Sequence, residues 1–312
     1  MPAEREYRYR VVDVFTQTPL EGNALAVFPE AQGLDADTMQ AIARELNLAE
    51  TAFVLPSTRP GCAARVRIFT PRHEMRFAGH PTIGTSFVLL DEGLKPGPDG
   101  GFLLDEIIGA VPVRVEQGTK PRIWLSTPPI QEGRQFDLEL SAEVLGLDRG
   151  DLLDVAPQLL DAGNPTVFVA LRDREAVDRA WIDVSGMRRL RAPDPTPVCV
   201  FVFTPTAEGA YSRMFAAEYG IVEDPATGSS TGPLAAYMMR HGLVSGEDGT
   251  RFVSEQGTRM GRRSFLHVHI RGRNGATAID IGGHVTPLVT ASMLLPSSAV
   301  QGLQGQHVGN QV

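Results

Sequence analysis

Arg67-Ile68-Phe69, a loop and Gly79-His80-Pro81-Thr82-Ile83-Gly84 form one stretch of the chain. Arg213-Met214-Phe215, a loop and Gly228-Ser229-Ser230-Thr231-Gly232-Pro233 form another. Each reads as a strand ending on an aromatic residue, a connection, and a helix entered through small residues, with proline in the first turn of the earlier one. The loops differ in length, as in a diverged internal repeat, although so short a match also arises by chance. Taken as a repeat, it predicts two similar halves.

Outward from the first copy, Tyr7 to Phe15 alternates as a strand, Thr18-Pro19-Leu20-Glu21-Gly22-Asn23 turns, and a second apolar strand ends near Phe28. Met39, Ile42, Ala43 and Leu46 recur at helical spacing behind Asp35, a suitable N-cap. Strands are expected at 51–56 and 63–69, split by Ser57-Thr58-Arg59-Pro60-Gly61, and again at 102–105, 110–116 and 121–127. Thr127-Pro128-Pro129 is the best linker, dividing the chain into 1–127 and 128–290, with the final strands free to return to the first half. The second part is expected to hold helices near 139–146 and 174–181 and strands near 166–171, 197–204, 211–216, 251–256, 264–270, 275–280 and 285–290. Strands and helices do not alternate regularly, which favours an α+β fold over a doubly wound parallel sheet. Residues 296–312, rich in Gly, Gln and Ser, are expected to be a disordered tail.

With 312 residues, 42% of them hydrophobic and 21% charged, the chain is a globular protein with material for two cores. A net charge of −8 opposes nucleic-acid binding but leaves room for a small anionic substrate, since a local potential can oppose the net charge. The arginine runs 188–191 and 259–263 read as solvated faces. No run approaches the length of a membrane span and no leader is evident, so a cytoplasmic protein without a membrane partner is expected. Cys62 and Cys199 have no CxxC partner and read as small apolar fillers of strands.

Several chemistries lack their motifs. There is no GxGxxG at a strand-to-helix junction, no GxxxxGK[ST] loop and no GxSxG elbow around Ser229, and His73-Glu74 lacks the second histidine of HExxH. His267 and His269 share a strand face without a third ligand nearby, which favours a solvent face over a metal site. The two glycine-led helix starts at Gly79 and Gly228 present backbone N–H donors and the positive ends of helix dipoles, suited to a carboxylate or to ordinary capping. Asp224, followed by Pro225, either turns the chain or projects into a cleft. Glu50 precedes the apolar Thr51-Ala52-Phe53-Val54-Leu55 run, where burial would raise its pKa and fit it for proton transfer, although an edge glutamate also reads this way.

Val12-Asp13-Val14-Phe15, Pro19-Leu20-Glu21-Gly22-Asn23, Asn47-Leu48-Ala49-Glu50-Thr51-Ala52-Phe53-Val54, Arg67-Ile68-Phe69-Thr70-Pro71, Phe77-Ala78-Gly79-His80-Pro81-Thr82-Ile83-Gly84, Glu223-Asp224-Pro225-Ala226-Thr227-Gly228-Ser229 and Gln256-Gly257 with Gly261-Arg262 stand in the order of one family. In these motifs the chain resembles the phenazine-biosynthesis isomerase-like family, whose fold is similar to that of diaminopimelate epimerase. The resemblance implies an α+β fold of two pseudo-symmetric halves, each a curled, mostly antiparallel sheet around a central helix, and a homodimer. It implies a cofactor-independent acid/base isomerase of a small cyclic carboxylic acid, with trans-2,3-dihydro-3-hydroxyanthranilate as the family substrate and neither metal nor organic cofactor. Glu50 would be the principal proton carrier, and His80, Asp224 and Ser229 would orient the substrate and handle its protons. Gly79, Gly228, Asn23 and Gly257 would bind substrate. Neither Cys62 nor Cys199 falls in a glycine motif, which disfavours the two-thiol chemistry of epimerase relatives. An amino-acid-like epimerase or racemase, or a silent small-molecule-binding protein, are the alternatives. Asp161-Ala162-Gly163-Asn164-Pro165-Thr166 departs from the phenazine enzyme's pattern, so the pocket wall would admit a different carboxylate.

Overall fold

Two helices buried on nearly every side organise the protein. A helix whose residues are apolar or small all round has no solvent face to offer and must be wrapped. The computed structural model describes residues 4–273 and 276–296, so the tail expected at 296–312 lies, beyond Pro296, outside the described residues.

In chain order the first elements are β1 (Glu4–Val14), β2 (Asn23–Phe28), α1 (Ala36–Leu46), β3 (Glu50–Leu55), β4 (Cys62–Phe69), β5 (Glu74–Met75), α2 (Gly79–Asp91), β6 (Gly101–Glu106), β7 (Gly109–Glu116) and β8 (Arg122–Ser126). They are followed by β9 (Gln131–Gln135), α3 (Leu138–Val144), β10 (Gln158–Asp161), β11 (Thr166–Ala170), α4 (Arg174–Arg179), α5 (Val184–Arg191), β12 (Cys199–Thr206), β13 (Gly209–Ala216) and β14 (Ile221–Asp224). The last are α6 (Gly228–Arg240), β15 (Arg251–Gln256), β16 (Ser264–Arg273), β17 (Ala276–Gly283) and β18 (Val285–Pro296).

One ladder runs β18-β1-β2-β3-β4-β6-β7-β8. The other runs β9-β10-β11-β12-β13-β15-β16-β17. They join through the antiparallel β8–β17 pair. Both are antiparallel except at matching places, β2–β3 and β4–β6 in one and β11–β12 and β13–β15 in the other, so the halves are pseudo-symmetric. Helix α2 packs on β1, β2, β3, β8 and β18, helix α6 packs on β10, β11, β16 and β17, and the two helices touch each other. A single apolar cluster, from Val12 and Ile83 to Phe203 and Met238, runs through both.

The repeat that opened the sequence reading has a physical counterpart. Arg67 reaches across to Glu74 with two bonds of 2.6 and 2.7 Å, and its guanidinium lies over the Phe69 ring. Arg213 does the same with Glu223 at 3.0 and 2.9 Å, over Phe215. In each half this bidentate pair ties a central strand to the short strand leading to the buried helix.

Four expectations need correction. Residues 188–191 are not simply a solvated face: Val184–Arg191 is a helix capped by Asp183, which accepts from Gly186 N at 2.7 Å, with Met187 and Leu190 buried beneath the arginines. Arg262 is likewise tied down, donating to Asp13 Oδ1 at 2.7 Å and to the carbonyls of Gly22 and Leu20 at 2.9 and 3.0 Å. His267 and His269 do share a face, but one half-covered by neighbours: His269 packs on Trp124 and His267 on His284. Burial then pushes His267 down to about 4. Finally, β18 continues to Pro296 instead of stopping near 290, because it pairs with β1 along its whole length.

The two arginine anchors should not be equally important. Arg213 is 5% exposed and also serves the carbonyls of Val177, Asp178 and Ala180. Arg213→Met is expected to cost about 3–5 kcal/mol by stranding Glu223 and these carbonyls, against roughly 1.5–3 kcal/mol for Arg67→Met at its more open pair. Parallel urea titrations of the two variants check the order.

Candidate active site

The first turns of α2 and α6 meet end to end. A Cβ on Gly79 would stand 3.2 Å from Ser229 N and 3.3 Å from Gly228 Cα, and one on Gly228 would stand 3.5 Å from Gly79 Cα. A side chain at Gly79 would press the facing backbone back by a few tenths of an ångström, so glycine suits this close approach. Neither N-cap, Ala78 or Thr227, caps its helix with a side chain. Among the described residues, the backbone N–H groups of Gly79, His80, Gly228 and Ser229 have no acceptor. Two positive helix ends therefore face one place, an arrangement suited to an anion.

Beside it stands Glu50, the first residue of β3, delivered by the left-handed turn at Asn47 that ends α1. Its Oε2 lies 3.1 Å from His80 Nε2 on α2. The two atoms are off the line of a hydrogen bond, so both are buried polar atoms without a partner. Burial, then the charge of Asp224, pushes the Glu50 carboxyl up to about 8, and burial pushes His80 down to about 3. Near neutral pH the acid holds its proton and the imidazole is uncharged.

Asp224 ends β14 opposite. Its Oδ1 accepts from Asn23 Nδ2 at 2.9 Å and its Oδ2 from the Thr227 hydroxyl. Burial raises its pKa to about 6 in spite of these bonds. Buried Gln256 locks the same turn, donating to the Asp224 carbonyl at 2.7 Å and to Thr227 Oγ1 at 3.0 Å, and accepting from Thr227 N at 3.1 Å. Asn23 also donates to the Ala226 carbonyl at 3.1 Å, which fixes its nitrogen toward His80 Nδ1, 3.5 Å away. Facing an amide nitrogen whose two N–H bonds go to Asp224 and Ala226, Nδ1 is better left unprotonated, which favours the tautomer with the proton on Nε2, toward Glu50.

These groups border a cavity of roughly 470 Å³ between the halves. Glu50, Gly79, His80, Asp224, Gly228 and Ser229 all line it. Asn23 and Gly257, expected as substrate contacts, stand behind its wall. Asn23 is 2% exposed with its amide nitrogen committed to Asp224 and Ala226. Gly257 has φ +75°, and a Cβ there would strike the Arg262 and Pro225 carbonyls at 2.4 and 2.5 Å, so it supports the turn that holds Gln256. Cys199 is buried as expected yet also lines the cavity, donating to Asn164 Oδ1 at 3.4 Å. Sequence reading missed this because its position follows from register: Cys199 stands opposite Thr166 in β11–β12 as Glu50 stands opposite Leu25 in β2–β3. Cys62 is not part of the wall.

The family model described as phenazine biosynthesis-like protein matches residues 12–291. The chain belongs to this family. Within the phenazine biosynthesis-like proteins it is 36% identical over 282 residues to the trans-2,3-dihydro-3-hydroxyanthranilate isomerase of Pseudomonas aeruginosa, covering 89% of this chain and 96% of that one. It is an isomerase by that kinship. A Bacillus anthracis phenazine biosynthesis protein superposes with a TM-score of 0.84 over 93% of this chain and all of its own, at 24% identity, a likeness of fold. A member from Enterococcus faecalis gives 0.73 at 25% identity, over 93% of this chain and 99% of its own. The α+β architecture of pseudo-symmetric halves is thus the family's.

The Asn23 amide favours the charged form of Asp224, so its removal should favour the neutral one. In Asn23→Ala the Asp224 carboxyl is expected to titrate above its present value of about 6, read by carbon-13 NMR of labelled carboxyl groups. A midpoint that stays put or falls counts against this role.

Proposed function

We propose that the protein moves a proton within a small cyclic carboxylic acid, on the pattern of trans-2,3-dihydro-3-hydroxyanthranilate isomerisation, with Glu50 as proton carrier. The observation that carries the reading is a buried carboxyl, raised to about 8, placed beside two helix starts in backbone contact. Shifting a double bond requires loss of a proton at one carbon and gain of one at another. A single carboxyl within reach of both works as base and then as acid, and a raised pKa makes its carboxylate a stronger base.

In this mechanism the free N–H groups of the helix starts hold the substrate carboxylate, and Ser229 adds its hydroxyl. They also stabilise negative charge spreading toward that carboxylate as the ring loses its proton. His80, neutral and with its proton on Nε2, faces the Glu50 carboxylate once it forms. Asp224, fixed by Asn23 and Thr227, borders the other side of the cavity and discourages premature ionisation of Glu50 by its own charge. The walls exclude water while the ring is reactive.

We infer also that the protein acts in the cytoplasm as a homodimer. Among the described residues no helix is long and apolar enough to cross a membrane. Strand β18 has β1 as its one ladder neighbour there and exposes Leu288, Val289 and Leu294, a surface that favours pairing with a second copy. Sedimentation at about twice the 33.7 kDa chain mass is expected at micromolar concentration; sedimentation as a single chain would remove the inference.

Proton NMR of trans-2,3-dihydro-3-hydroxyanthranilate in deuterated water tests the chemistry. Wild type is expected to migrate the double bond, and Glu50→Gln to be slower by about 10²–10⁴-fold. In the free enzyme the base form of Glu50 appears as pH rises through about 8, so kcat/KM should climb across that range. Folding responds oppositely: a carboxyl raised in the native state weakens the fold as pH climbs from its ordinary value of 4.5 toward 8, and Glu50→Gln should flatten that decline. Full activity in a folded Glu50→Gln variant would reject Glu50 as the carrier.

A further inference from the structure

The cavity has a cation that the proposed chemistry does not use. Arg72 lies on the loop between β4 and β5, is exposed, and lines the cavity. Among the described residues no carboxylate oxygen comes within 4.0 Å of its guanidinium. The loop beneath it is fastened: Thr70 Oγ1 accepts from Arg72 N at 3.2 Å and His73 N at 3.0 Å and donates to the His73 carbonyl at 3.0 Å, while Gln40 donates to the Thr70 carbonyl at 2.9 Å.

The guanidinium extends from this loop to the opposite half. It lies on Gly220, where a Cβ would meet Cζ and Nη1 at 2.4 Å and Nη2 at 2.5 Å. Gly220 holds φ +85°, so this position is both sterically open and conformationally suited to glycine. A planar cation is thus laid over bare backbone at the edge of the cavity, with its donors uncommitted. The cavity wall also includes Met75, Phe77, Met214 and Ile221. The cavity offers an anion seat, apolar lining and, apart from the seat, a cation.

The volume agrees with a ligand larger than one ring and one carboxylate. Roughly 470 Å³ lies within the ~300–1,000 Å³ range of sites for drug-sized ligands. We propose that the substrate is a cyclic acid carrying a second carboxylate, and that Arg72 is the specificity-determining residue that recognises it. This rests on reading the helix starts as the seat of the first carboxylate. Arg72 is suited to the task because its guanidinium can grip a carboxylate with two parallel bonds, and an approaching anion finds no competing internal partner to displace.

The test compares dissociation constants of anthranilate, 2-aminoterephthalate and 2-amino-4-(carboxymethyl)benzoate by calorimetry at fixed ionic strength. The two dicarboxylates place the second charge at different distances from the first. At least one is expected to bind wild type about tenfold or more tightly than anthranilate. That ratio should collapse toward one in Arg72→Gln and partly return in Arg72→Lys, which keeps the charge without the planar fork. A ratio within one protein is insensitive to partial loss of folded material. A ratio near one in wild type, or one that survives Arg72→Gln, overturns the assignment of Arg72 while leaving the first carboxylate's seat intact. Failure of all three acids to bind overturns both the assignment and the reading of the helix starts on which it stands.

Discussion

The backbone contact between Gly79 and Gly228 is the constraint on which the rest of the structure depends. Bringing two helix N-termini together places positive dipole ends side by side, an arrangement unfavourable by itself. It is held because each helix is enclosed by its own curled sheet, the two sheets are joined by β8 and β17, and one apolar cluster spans both. The core therefore supports a local electrostatic cost that a bound anion relieves. Preorganised donors of this kind need little rearrangement when negative charge develops in front of them.

Around that contact the side chains divide by depth. Those with free polar atoms, Glu50 and His80, face the cavity; those with satisfied atoms, Asn23, Thr227 and Gln256, hold the first group's neighbours in place. Arg262 extends the support further. It binds buried Asp13 and the turn carbonyls at Leu20 and Gly22, and so fixes the residue just before Asn23 from the far side of the chain. The site is therefore assembled by long-range contacts, with Asn23 meeting Asp224 across 201 positions of sequence.

Legibility followed the range of the interactions. The Asp35 cap and the buried Met39, Ile42 and Ala43 of α1 were readable because they are set within one helix. The repeat was readable through Arg67-Ile68-Phe69 and Arg213-Met214-Phe215, although its reason, an arginine pinned to a glutamate on the next short strand, was not visible. Glu50, His80, Asp224 and Ser229, which line the cavity, were singled out through motif order and not from local physics, which left each with an ordinary structural reading. What stayed hidden depends on partners distant in sequence. Helix α5 was masked by arginines whose apolar neighbours point inward, and Asn23 looked like a ligand contact until the atoms occupying its amide were known. Arg72 carried no signal, since nothing in Thr70-Pro71-Arg72-His73 tells that Gly220 lies under it.

The pairing of β1 with β18 bears on how the polypeptide acquires its shape. The earliest described strand pairs with β2 on one side but finds the partner for its other edge only in the last strand, from Glu4 against Pro296 to Val14 against Val285. During synthesis the first half must wait with an unfinished sheet, its β1 edge open, while all the strands of the second half emerge. Closing that edge joins residues from opposite ends of the chain, the costliest kind of loop to close and a slow one to form. Completion of the first half is thus coupled in time to the second, and the polypeptide has a long interval in which an exposed strand edge needs protection from its neighbours.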